Sequence, residues 1–133
     1  MGENLYKEIG NFTPDKLIAG NAIPLTAKGI TVAKGQGVLK RGTLLGIAHD
    51  KTHKQTDTTE TYEGGSGSQT DTIGVDCILC EDVDATDRAV ITSGYATGEF
   101  NSGAIILPAE KHVETHEQEL RKLGLYIKPV QEY

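Results

Sequence analysis

Apolar positions come in short runs broken by glycine or by polar corners, and the sharpest of these breaks is Lys40-Arg41-Gly42. Val38-Leu39 precedes that corner and residues 43–48 follow it, the arrangement by which a chain bends between neighbouring strands. The run 43–48 is nearly continuous in apolar residues and too short for an ordinary helix, so it predicts a strand covered on both faces. Further strands are predicted over residues 29–33, where Ile30 and Val32 alternate weakly, and over 73–79 and 88–95. A short apolar run at 104–107 stops at Pro108, and 125–130 reads as a last strand that Pro129 confines to a sheet edge.

One stretch changes period. Residues 115–123 are rich in helix formers, Thr115 and Gln118 have capping-box spacing, and Gly124 stands where a helix C-terminus wants it. Acidic residues precede basic ones along it, as the helix dipole prefers. Two segments lack any sustained period. In residues 1–25 the apolar Leu5, Tyr6, Ile9, Phe12, Leu17 and Ile18 are scattered among Gly10, Pro14, Gly20 and Pro24, which suits an extended N-terminal arm that adds to a partner's sheet edge. The plainer alternative is a loosely docked terminus. Residues 49–72 are polar apart from Tyr62 and contain Gly64-Gly65-Ser66-Gly67-Ser68, so a flexible polar loop without regular structure is expected there. The expected organisation is an arm, 1–25, and a β-rich domain, 26–133, that carries the loop.

At 133 residues the chain can bury one core, and 16 Gly with no Trp and one Met favour short strands over a helical bundle. Its net charge of -6, with the 13 Lys and Arg dispersed, argues against binding nucleic acid or an anionic membrane. No apolar run approaches a bilayer span and neither end reads as a secretion signal, so a soluble protein made in the cytoplasm is expected. Two cysteines do not make a disulfide framework, and a reducing compartment suits them.

Candidate chemistry is thin. His112 and His116, and likewise His49 and His53, are spaced to share a helix face and hold a divalent metal. The order His-x-Glu-x-His is not the zincin order, and a site needs a third ligand, so solvated histidines are the better reading. A metal-dependent enzyme built on His112 and His116 is the least favoured function. Cys77 and Cys80 have redox spacing, but among strand formers they point to opposite faces and read as inert thiols. The acidic stretch 81–87 lacks the glycine and distant glutamate of a calcium loop and reads as a turn. No nucleophile elbow, phosphate loop or dinucleotide fingerprint is present. The expectation is a protein that is not an enzyme and uses no cofactor, metal or small-molecule substrate.

Four segments in one order carry a resemblance: Leu39-Lys40-Arg41-Gly42-Thr43-Leu44-Leu45-Gly46; residues 74–79 running into Glu81-Asp82-Val83-Asp84-Ala85-Thr86; Gly98-Glu99-Phe100-Asn101; and Glu119-Leu120-Arg121-Lys122-Leu123-Gly124-Leu125-Tyr126-Ile127-Lys128. Together, over most of residues 38–128 apart from the polar insertion, the chain resembles the tailed-phage and prophage head decoration proteins, the family of the lambda head decoration protein. The expected fold is then mainly β, a small β-barrel or β-tulip-like domain with one short C-terminal helix and an extended N-terminal arm. The resemblance implies a homotrimer that cements the expanded phage head from the outer capsid surface of the virion. Its partner would be the major capsid protein, gripped by an arm with Leu5, Tyr6, Ile9, Phe12, Leu17 and Ile18 as its contact residues. The alternative from another class is a β-barrel adhesion or carbohydrate-binding module on a virion surface.

Overall fold

Turn formers recur every few residues, so most strands are short, and five of them gain stability by closing into a ring. The structure, a computed structural model, describes residues 17–20 and 22–129. Along it run β1 (Ile18–Gly20), β2 (Thr26–Val32), β3 (Gly37–Leu39), β4 (Leu44–Ile47), β5 (His53–Gln55), β6 (Thr59–Gly64), β7 (Gly67–Thr72), β8 (Cys77–Leu79), β9 (Val83–Ala85), β10 (Val90–Asn101) and β11 (Leu125–Lys128). One helix, α1 (Glu117–Leu123), precedes β11.

β10 pairs antiparallel with β2 and, at Gly94 and Tyr95, with β8. β2 meets β5 in parallel at Val32 and His53, β5 pairs with β4, and β4 pairs with β8. The ring β10-β2-β5-β4-β8 closes on itself, giving the small barrel that the resemblance implies. Closure removes the open edges that short strands would otherwise expose. Beyond the ring, the last residues of β10 take β1 antiparallel along one edge and β11 parallel along the other.

The apolar run after the corner does what its pattern predicts. Leu44 and Leu45 are both fully buried, on opposite faces of β4, and their partners in β8 are Ile78 and Cys77. Leu45 and Cys77 join Ile30, Val32, Leu39, Leu79 and Ala85 in one core, closed by the β3–β9 pair. Leu44 and Ile78 join Leu17, Phe100, Val113, Leu120 and Leu125 in a second core between the barrel and the elements outside it. Each fully buried side chain of this size contributes about 1.5–3 kcal/mol. The corner itself is a turn in which the Thr43 amide and hydroxyl both donate to Lys40 O, at 3.1 and 2.7 Å. Gly42 has φ of 102°, and a Cβ there would lie 2.7 Å from Ala104 O, so both backbone and space require glycine.

Several expectations need correction. Residues 49–72 are not without regular structure: they contain β5 and the β6–β7 hairpin, paired from Thr59 with Thr72 to Gly64 with Gly67. Counting apolar residues hides this hairpin, because it is held by threonine and tyrosine alternation and a two-residue Gly65-Ser66 turn. The helix begins at Glu117, after a 3-10 turn over Val113–His116, and the Thr115–Gln118 capping box does not form; His116 takes the N-cap position without a side-chain cap. Gly124 does end it, at φ of 92°, donating to the Leu120 and Arg121 carbonyls. The run 104–107 contributes only one bridge, Ile106 with Thr43, and of 73–79 only Cys77–Leu79 is strand.

Candidate docking surface

The register of β10 decides where the chain ends emerge. Ile18 pairs with Phe100 in the antiparallel β1, so the chain enters that strand beside Asn101, whose amide donates to Leu17 O at 2.7 Å. Lys128 pairs with Asn101 in the parallel β11, so the chain leaves that strand at the same place. Residues 1–16 and 130–133 therefore join the described domain at one end of one small sheet. Among the described residues β1 and β11 pair with nothing but β10, so both outer edges of this sheet are open. Ile18 is 36% exposed and Ile106, whose backbone bonds to Gly42 and Leu44, is 39% exposed. A short open edge with apolar side chains beside it is suited to strand addition.

Of the predicted contact residues, Leu5, Tyr6, Ile9 and Phe12 lie outside the described residues. Leu17 is corrected: at 1% exposure it sits in the outer core, between the Gly42 corner and Phe100, and is part of the domain rather than of an arm. Ile18 begins β1 at the root of the preceding segment. On the outer face of the same sheet Glu99 is almost buried and pairs with Lys128 at 2.9 Å, and Gly20 leaves it room, since a Cβ there would lie on the carboxylate.

The histidines do not pair as their spacing suggested. His112 is exposed, whereas His116 Nε2 lies 2.8 Å from Asp57 and its Nδ1 3.2 Å from Glu119. Burial would lower the His116 pKa, but hydrogen bonds to the two carboxylates outweigh it and raise it. The His49 ring stacks on Tyr62 at 3.9 Å and is bonded to Glu60 at 2.8 Å, while Lys54 reaches the same carboxylate at 3.4 Å.

His53 belongs to a different cluster. Its Nε2 is 2.7 Å from Asp76, and ligating atoms of His53, Asp76 and Cys77 lie within 4.8 Å of one another, a donor set of the kind zinc accepts. Two features oppose an ion there. The Lys28 ammonium already sits 2.8 Å from the Asp76 carboxylate, and burial pushes the Cys77 thiol up to about 12. The arrangement is that of a partly buried ion pair. Burial would raise the Asp76 pKa, but the bonds from Lys28 and His53 outweigh it and hold it below the ordinary carboxylate range. Cys80 is also raised by burial, and both thiols are free, which fits inert cysteines.

The acidic turn spends its carboxylates locally. Asp82 accepts from the Arg41 amide at 2.7 Å and Asp84 from the Thr86 amide and hydroxyl, interactions that hold both pKa values low. Arg41 Nη1 reaches Cys80 O at 2.9 Å and the Tyr95 hydroxyl, bracing the corner against β8 and β10.

A family model described as bacteriophage lambda head decoration protein D matches residues 6–125. The match reaches well before Val38 and spans the hairpin, so it covers more of the chain than the four segments that suggested it. No curated protein matches this chain. The family consists of structural proteins of the phage head, not enzymes, and it associates with the capsid. Barrel, C-terminal helix and family match agree, and the chain belongs to the bacteriophage lambda head decoration protein D family.

Proposed function

We propose that this head decoration protein assembles as a homotrimer on the outer surface of the expanded head and stabilises it by binding the major capsid protein. Its N-terminal segment supplies the grip. Leu5, Tyr6, Ile9 and Phe12 order on the capsid and extend a capsid sheet, with Ile18 at the root and Leu17 anchoring the segment to the domain. The observation that carries this reading is that the start of β1 and the end of β11 lie together at one sheet end, with two strand edges open among the described residues. Three such ends on a three-fold axis would engage neighbouring subunits together, so modest contacts gain by avidity. The acidic net charge of -6 suits a coat that touches protein and not nucleic acid. Light scattering combined with pelleting on purified expanded heads tests it: a trimer that pellets with the heads and raises their resistance to heat is expected. A protein monomeric at every concentration that stays in the supernatant would end the proposal.

A further inference from the structure

The His116 imidazole takes no part in the capsid attachment proposed above. It stands at the junction of the 3-10 turn and α1, is 8% exposed, and uses both ring nitrogens on carboxylates from two different elements. Asp57 faces it from the turn between β5 and β6, and Glu119 faces it from α1. Of the neighbouring charged groups, Glu114 precedes it on the 3-10 turn, Glu117 reaches toward Arg121 at 3.9 Å, and Lys122 shares a shallow groove with Glu119 and Val75.

Asp57 is a fixed point at the base of the β6–β7 hairpin. Its φ is 68°, a conformation uncommon for a residue with a side chain, and its amide donates to Ile73 O at 2.9 Å while the Ile73 amide donates to Thr58 O at 2.8 Å. Whatever holds Asp57 holds the hairpin root.

We propose that His116 is a proton-held clasp between the root of the β6–β7 hairpin and the C-terminal helix. A carboxylate can only accept, so both contacts are hydrogen bonds only when both ring nitrogens carry hydrogen, as in the imidazolium. When one proton leaves, a lone pair faces one of the carboxylates. Glu119 is the one released, because its contact is the longer and its side chain is 56% exposed against 16% for Asp57, and the bond kept to Asp57 loses its charge assistance, so the hold on the hairpin root weakens. The direction of the shift agrees: with a raised folded pKa the clasp is at full strength below the unfolded value of about 6.5 and weakens as pH rises through the higher folded value.

An NMR titration of the full-length protein from about pH 5 to 9 reads this directly, following the His116 ring and the Asp57, Thr58 and Ile73 amides. The ring midpoint is expected above the ordinary histidine value, the three amides should move with it, and Ile73 protection against exchange should fall at least about threefold across it. Asp57→Asn should lower the ring midpoint and uncouple the amides. In His116→Gln the amides should not titrate; if that variant does not fold, the Asp57→Asn titration decides. A ring midpoint at or below about 6.5 would overturn the clasp, as would amides that titrate unchanged in either variant.

Discussion

The barrel and the β6–β7 hairpin are both antiparallel in their main pairings, yet different forces hold them. In β4 and β8 the side chains Leu44, Leu45, Cys77, Ile78 and Leu79 are fully buried, whereas every residue of β7 is exposed and β6 buries only Glu60. The barrel rests on apolar area removed from water. The hairpin rests on turn chemistry, a His49–Tyr62 stack and bonds to the Glu60 carboxylate. A two-stranded hairpin of this kind is marginal by itself, so it depends on the domain more than the domain depends on it. Regular structure and stability thus have separate sources in one chain, and substitutions should tell them apart.

The largest effects belong to the barrel. Ile78→Ala should cost about 3–4 kcal/mol in urea melts, since it leaves a cavity against the outer core. Gly46→Ala should cost about 3 kcal/mol, because the new Cβ would lie 2.2 Å from Gly74 O and the backbone must move. If either cost were under about 1 kcal/mol, the barrel would not be the stabilising unit.

In the hairpin the expected scale falls. Glu60→Gln should cost about 1–2 kcal/mol, because the buried amide cannot replace a carboxylate that accepts from His49 and Lys54. A smaller, pH-dependent effect comes from Asp76. Its folded pKa is depressed, so its contribution is present above the unfolded value near about 3.9 and disappears as pH falls through the lower folded value. The stability gap between the protein and Asp76→Asn should therefore narrow on acidification; a gap constant from about pH 6 to 2 would contradict the ion pair with Lys28. The smallest change is Tyr62→Phe, which removes an exposed hydroxyl bond to Asp71 and should leave the urea midpoint almost where it was. A cost matching that of Ile78→Ala would erase the distinction between the two regions.

The same distinction explains what the sequence disclosed. Continuous apolar runs announced β4 and much of the barrel, since burial on both faces leaves its mark on every position, and glycines marked the corner at Gly42 and the helix end at Gly124. The hairpin is hidden in the sequence because its stabilising groups are the same threonines, glycines and acids that a loop contains. Leu17 reads as part of the arm because the lone pair Leu17-Ile18 between Lys16 and Ala19-Gly20 shows no period; only its place beside Gly42 shows where it goes. The pairings His116 with Asp57 and His53 with Asp76 join residues 59 and 23 positions apart, and no local spacing encodes them. The sheet end proposed for docking is equally illegible, since it follows from the register of β10 with both β1 and β11.

The segment before Leu17 is the proposed grip, and co-sedimentation with expanded phage heads compares the full chain with one lacking residues 1–16. Truncation there spares Leu17 and β1, so the shortened protein should fold and trimerise as before yet remain in the supernatant, while the full chain pellets with the heads. Equal pelleting of both proteins would contradict the claim that the N-terminal segment supplies the grip.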